Sequence, residues 1–242
     1  MLKEFIRRIL IFLHLDVTKN IKYDRLTLEI LDKVLHKNSN CIDIGCFKGE
    51  ILQEVMKRSP NGLHVAFEPI PGFFNALKKK FKQKQLTIHN IALSDQSGVI
   101  TFNYVVDAPA YSGIKKRDYD GKNPDIEVIE VTTDTLDHIL PTNHHVDLIK
   151  IDVEGAEFKV LKGAFNTLKK SRPIIIFEFG LGASDFYKVT PSVFYQFLAT
   201  ECGYQIYQLE NFLKDGSPLN NETFKDVYQS RKDYYFVASP VG

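Results

Sequence analysis

Five short runs in this chain carry residue types and spacings that can do chemistry. Asp43-Ile44-Gly45-Cys46-Phe47-Lys48-Gly49 follows one apolar run, Glu68-Pro69 a second, and Ala92-Leu93-Ser94-Asp95 a third. Asp152-Val153-Glu154 ends a fourth, and Glu178 closes a fifth. A carboxylate at the end of a buried strand is costly unless it is paired, protonated or bound to a cation, so these acids are candidates for binding or proton transfer. Gly45 and Gly49 let the backbone approach a ligand without a side chain between. Asp43 can organise the turn or meet a cationic amine. Glu68 stands where an acidic residue accepts hydrogen bonds from a ribose diol, close to the roughly 20-residue spacing of dinucleotide sites. The glycine triplet that would admit a pyrophosphate is missing, because Cys46 and Phe47 occupy its place. S-adenosylmethionine, which has no pyrophosphate, meets these terms. Ala92 and Leu93 can border its adenine, or can simply pack.

Asp152 and Glu154 are two residues apart, so a strand ending there points both to one side. Beside an acceptor hydroxyl, a glutamate can take the proton or hold the oxygen in line with a methyl group. Glu154 is the first choice as base, with Glu178 behind it and Asp152 on the same edge. Alternatively, Glu154 or Glu157 starts the next helix and interacts with its dipole. Asp152 and Glu154 can also hold Mg²⁺ through a few oxygens and waters, although no metal site is predicted. His138, His144 and His145 precede the fourth parallel strand, which puts them on its amino-end loop, away from the cleft.

The elements that must position these residues alternate. A helix over Ile21–His36 precedes strands at Cys41–Ile44, Leu63–Phe67 and Leu86–Ile91, separated by helices ending near Arg58 and Lys82. Gly98–Tyr104 and Glu127–Thr132 read as an inserted β-hairpin with a mobile loop between. The pattern resumes with strand Val146–Ile151, helix Glu157–Lys170, strand Pro173–Phe179, helix Ser192–Thr200, strand Tyr204–Leu209 and a last strand Asp233–Ala238. Asn211–Lys232 reads as a long connection. Repeated βα units predict a doubly wound α/β fold with seven sheet strands, mostly parallel. Residues 1–38 are read as N-terminal helices and 39–242 as one domain.

The 242 residues carry a formal charge of +1, without the basic excess of a nucleic-acid binder. Three cysteines lack metal-site spacing and suggest neither zinc nor a disulfide framework, which fits a cytoplasmic protein. No apolar run reaches the roughly 18 residues of a membrane span. Residues 2–13 alternate apolar and basic side chains at helical spacing, and suit docking on the domain, a partner or a membrane surface.

Taken in order, Asp43-Ile44-Gly45 with Gly49, Phe67-Glu68-Pro69, Ala92-Leu93-Ser94-Asp95 with Gly98, Thr133-Asp134-Thr135-Leu136-Asp137 and Ile149-Lys150-Ile151-Asp152-Val153-Glu154-Gly155-Ala156-Glu157 resemble the FkbM-like S-adenosylmethionine-dependent methyltransferases. The resemblance runs from about Asn40 to Phe179. It implies a Rossmann-like class I methyltransferase fold with helices on both faces and an antiparallel last strand, and O-methylation of a hydroxyl on a sugar, glycolipid or related metabolite. It also implies a cofactor site built from Asp43, Gly45, Cys46, Gly49, Glu68, Pro69, Ala92, Leu93 and Asp152. One departure stands out: the family usually has Ala-Asn where this chain has Cys46-Phe47. Tyr187, Phe194, Tyr195, Tyr204, Tyr207 and Phe212 offer faces for stacking a sugar, or pack in the core, and the acceptor site is expected near Tyr111-Ser112-Gly113. The alternatives are a non-catalytic module that binds cofactor or glycan, and a nicotinamide-dependent oxidoreductase, which the missing glycine triplet disfavours.

Overall fold

The computed structural model describes residues 10, 11, 14, 16–116 and 124–241. Most of the 2–13 stretch, and part of the expected loop after Gly113, lie outside the described residues. In chain order the elements are α1 (Lys19–Val34), β1 (Cys41–Ile44), α2 (Glu50–Arg58), β2 (His64–Phe67), α3 (Pro71–Lys80), β3 (Leu86–His89), β4 (Ala92–Leu93), β5 (Gly98–Val105), β6 (Ile126–Asp134) and α4 (Leu136–Ile139). There follow β7 (Leu148–Ile151), α5 (Glu157–Lys162), α6 (Phe165–Ser171), β8 (Ile174–Glu178), α7 (Pro191–Gln196), β9 (Tyr204–Gln208), α8 (Leu209–Leu213), α9 (Asn221–Gln229) and β10 (Tyr235–Pro240).

Seven strands form one sheet in the order β3-β2-β1-β7-β8-β10-β9. All neighbours are parallel except β10, which runs antiparallel to both β8 and β9. Both faces are covered, so apart from Asp43 on β1 and Lys150 on β7 the central strands are apolar on both sides. Ile42, Ile44, Ile149, Ile151, Ile175, Phe177 and Phe236 pack into one buried cluster. On the other face Cys41, Leu148, Ile176 and Val237 join Tyr23, Leu26, Ile30 and Leu31 of α1. The start of α1 is thereby fixed beside the carboxyl edge of the sheet, with Thr18 capping it by accepting from the Ile21 amide.

The architecture is the expected one, and four local expectations change. The third strand stops at His89: the side-chain Nδ2 of Asn90 donates to the carbonyls of Glu68 and Pro69 at 2.8 and 2.9 Å, and Ala92–Leu93 leaves the main sheet. There it pairs in parallel with β6, so the β5–β6 hairpin belongs to a three-stranded sheet. The single helix over 157–170 is two, because the Gly163 carbonyl accepts from the Asp137 amide and the Asp137 carboxylate caps α6 through the amides of Asn166 and Thr167. A Cβ on Gly163 would collide with the Ser94 carbonyl, which holds that bend in place. The connection over 211–232 contains α9, started by a capping box between Asn220 and Thr223 and buried through Phe224, Val227 and Tyr228.

Candidate active site

At the carboxyl ends of β1, β2, β7 and β8 the turns enclose a cavity of about 690 Å³. Its first wall is the turn after β1. Gly45 has φ +76°, and a Cβ there would run into the carbonyl of Asp152, so the two acidic turns touch only because residue 45 is glycine. The amides of Gly45 and Cys46 both donate to the Phe67 carbonyl, at 3.0 and 3.1 Å. Phe47 follows with φ +47°, a left-handed conformation that costs a residue with a Cβ about 1–2 kcal/mol. Asparagine tolerates this conformation well, so the departure from the family pattern falls where the backbone feels it. The Phe47 ring instead packs on Phe73, with centroids 4.5 Å apart.

Glu68 ties that turn to the next one. Its Oε2 accepts from the Phe47 amide at 2.8 Å and its Oε1 from the Ile70 amide at 2.9 Å. Burial pushes its carboxyl up to about 7 in spite of both donors. Each oxygen keeps a lone pair for a ligand hydroxyl. Cys46, Pro69, Ala92 and Leu93 also line the cavity. Gly49 does not reach it: it caps α2 with φ +69°, and a Cβ there would meet Leu77 and Phe81 at 2.7 Å. Its role is to let α2 pack against α3.

Asp43 lines the cavity, is 3% exposed, and neither of its oxygens accepts a hydrogen bond. Burial raises its pKa, opposed by the Lys150 ammonium 3.8 Å away. A buried carboxylate lacking donors fits a ligand that brings its own, as an ammonium does. Lys150 also reaches Asp152 Oδ2 at 3.2 Å. Desolvation works against its charge, and the two carboxylates outweigh it and raise its pKa. The Tyr235 hydroxyl donates to the same Asp152 oxygen at 2.5 Å. Burial alone would raise Asp152, but Lys150 and Tyr235 hold it below its ordinary value. Asp152 is therefore a fixed, ionised group, which suits it to positioning more than to accepting a proton.

Asp152, Glu154 and Glu178 each place an oxygen within 4.8 Å of the other two, and all three are half-buried. The strand pleat is not what gathers them, because β7 ends at Ile151. Glu154 sits instead in a tight turn at φ +58°, followed by Gly155 at φ +101°. The turn is clamped from below by Glu157, whose Oε1 accepts from the amides of Val153 and Gly155, each at 3.1 Å. Glu157 is the residue that starts α5. Glu178 ends β8 in register with Tyr235 of β10.

Reading the residues in one dimension missed Lys150 and Tyr235. A lone lysine between isoleucines was a signal of a buried, paired charge; Tyr235 offered none, since its relevance depends on β10 lying beside β8. The aromatic expectation also changes. Phe194 and Tyr204 are in the core, and Tyr187, Tyr195, Tyr207 and Phe212 do not line the cavity. Tyr23, Tyr111 and Tyr234 line it instead, Tyr111 from the expected insertion. His138, His144 and His145 lie outside its lining, as their place before β7 implied.

Residues 43–206 match the methyltransferase FkbM domain. Among solved structures, the methyltransferase FkbM from Methylobacillus flagellatus is similar at a TM-score of 0.50 and 13% identity, with 84% of this chain and 44% of that one covered. This chain thus spans less than half the length of that relative. A precorrin-6Y C5,15-methyltransferase from Geobacter metallireducens is similar at a TM-score of 0.42 and 17% identity, over 76% of this chain and 73% of that one. An rRNA methylase from Streptococcus thermophilus gives a TM-score of 0.48 at 10% identity, over 90% and 96%. No curated protein sequence matches the chain. Both the matched segment, which takes in the turns after β1, β2, β7 and β8, and the strand order lead to one assignment: the chain belongs to the FkbM methyltransferase family.

Proposed function

We propose that this protein is an S-adenosylmethionine-dependent O-methyltransferase acting on a hydroxyl of a sugar, glycolipid or related metabolite. The observation that carries the reading is the convergence of Asp152, Glu154 and Glu178 on a cavity that the buried Asp43 and the Glu68 turn also line. Asp43 would take the cofactor's ammonium and Glu68 its ribose hydroxyls, with Ala92 and Leu93 against adenine. When bound, the cofactor supplies a sulfonium methyl and departs as a neutral thioether. A carboxylate against the sulfonium would stabilise the ground state, so the useful place for one is beside the acceptor hydroxyl. Glu154 accepts the hydroxyl proton there, Glu178 stands second to it, and Asp152, pinned by Lys150 and Tyr235, keeps its own charge. General base catalysis of this kind is worth about 10²–10⁴-fold. Residues 39–242 form the methyltransferase domain in this reading, and 1–38 the N-terminal helices. Among the described residues no helix is long and apolar enough to cross a membrane.

Calorimetry with S-adenosylmethionine and S-adenosylhomocysteine tests the proposal, and folded protein that binds neither refutes it. Glu154→Gln should keep cofactor affinity and lose turnover; unchanged turnover removes Glu154 as base.

A further inference from the structure

Beside the main cavity lies a second one of about 210 Å³, and the two share a wall made of Gly180, Leu181 and Tyr234. Gly180 admits Tyr234 to that wall, since a Cβ there would meet the Tyr234 Cβ at 2.6 Å. Lys19, Tyr228, Arg231 and Asp233 complete the lining of the smaller cavity. Arg231 holds its place there at a conformational cost. α9 ends in a turn after Ser230, in which the Arg231 amide donates to the Tyr228 carbonyl at 3.1 Å and the Lys232 amide to the Val227 carbonyl at 3.2 Å. This pattern usually has glycine in the left-handed position, and here Arg231 occupies it at φ +53°. Lys19 fixes the turn from α1, its Nζ donating to the carbonyls of Arg231 and Lys232 at 2.9 and 3.1 Å. The guanidinium of Arg231, by contrast, makes no hydrogen bond or ion pair among the described residues.

We infer that the smaller cavity is an oxyanion subsite, in which Arg231 and Lys19 bind a carboxylate or phosphate group carried by the acceptor. The inference rests on the methyl-transfer reading of the main cavity, because the shared wall makes the smaller cavity the adjoining space for a ligand whose hydroxyl is presented to Glu154. Two cations line it against one carboxylate. The carbonyls that Lys19 bonds carry no net charge, so its ammonium is not neutralised by them. Asp233 has both oxygens occupied, Oδ1 by the Tyr23 hydroxyl at 2.8 Å and Oδ2 by the Gln208 side-chain amide. Asp185 accepts from the Gly182 amide at 2.7 Å and is not part of the lining. The fork of a guanidinium matches the paired oxygens of a carboxylate or phosphate, and such charge-assisted bonds are about twice as strong as neutral ones. Glycine would serve the turn better than arginine does. What arginine adds at this position is a guanidinium on the cavity lining, and a side chain kept in an unfavourable backbone conformation points to a use outside the turn.

The test titrates methyl hexosides, hexuronates and hexose 6-phosphates into the full chain, with and without S-adenosylhomocysteine, by calorimetry and saturation-transfer NMR. At least one of the two anionic sugars should bind about tenfold or more tightly than the neutral hexoside, and the two arms tell carboxylate from phosphate. Arg231→Gly should erase that preference and leave S-adenosylhomocysteine affinity within about twofold, while melting no lower than wild type because glycine suits the left-handed turn. Arg231→Gln, which keeps a side chain of similar reach without the charge, should lose the preference as well. Equal affinities for charged and neutral sugars, no sugar binding in any arm, or a preference that survives in both variants would overturn the inference. An anion preference that depends on Arg231 in protein that fails to bind S-adenosylhomocysteine would instead remove the methyl-transfer reading and leave the oxyanion subsite standing.

Discussion

Replacing Glu157 by glutamine should stabilise the protein in a way that depends on pH. The carboxyl is 1% exposed; one oxygen clamps the Glu154 turn through two amides, and the other, Oε2, has no hydrogen-bond partner. Burial pushes its pKa from 4.5 up to about 7. Below the lower value both folded and unfolded chains carry the proton, and Glu157 contributes no pH dependence. As pH rises through this window the unfolded chain releases its proton first, so stability falls, and it levels off above the folded value. The full loss is about 3 kcal/mol. Glutamine keeps the Oε1 acceptor for Val153 and Gly155 and cannot ionise. Its amide nitrogen replaces an oxygen that is unpartnered already, so Glu157→Gln should be near neutral at about pH 5 and more stable than wild type by about 2–3 kcal/mol at about pH 8. Urea unfolding of both proteins across that range gives the comparison directly. Glu68 has the same sign of dependence, but it is common to both chains and cancels in the difference. Parallel stability curves for the two proteins would show that Glu157 is not the buried, proton-retaining clamp described above.

Gly45→Ala should cost at least about 2 kcal/mol and remove S-adenosylmethionine binding, since the residue needs φ +76° and its Cβ would displace the Asp152 carbonyl; thermal melts and calorimetry read the two effects. Tyr235→Phe should raise the pKa of Asp152 by deleting a donor to its carboxylate, visible in a carboxyl-carbon NMR titration, and should cost about 1–2 kcal/mol; an unmoved titration would break the link between β10 and the acidic edge. Asn220→Ala should cost about 1 kcal/mol in urea unfolding by removing the capping box of α9, with cofactor affinity unaltered.

The parts of the site that were legible in the sequence are those made locally. A strand, a glycine turn and a helix are contiguous, so Asp43, Gly45 and Glu68 announce themselves by their place after short apolar runs. Asp152 and Glu154 were also found, but for an incomplete reason: the strand ends before them, and a left-handed residue clamped by Glu157 brings Glu154 alongside Asp152 and Glu178. Gly49 looked like a ligand-facing glycine because its spacing from Gly45 is right, whereas its freedom is spent on helix packing against Leu77 and Phe81. Lys150 left a local trace, a charge between isoleucines two residues from Asp152, whereas Tyr235 and Tyr23 depend on contacts between segments far apart in the chain, and no local pattern reports which aromatic side chains the sheet order will bring to its edge. The two helices between β9 and β10 were hidden for a different reason: α8 has five residues and α9 nine, too short for their apolar spacing to stand out among polar neighbours.

The placement of β10 bears on how the protein is made. Translation delivers β9 before β10, yet β10 lies between β8 and β9 and carries the hydroxyl that pins Asp152. A growing chain can assemble β1, β2, β7 and β8 while this slot is still empty, with the edge of β8 unpaired and Asp152 lacking the Tyr235 donor. During that interval the exposed edge of β8 is open to pairing with the wrong strand. The cleft thus acquires its final carboxylate geometry in the same event that closes the sheet, so that a nascent chain gains its chemistry only on completing its fold.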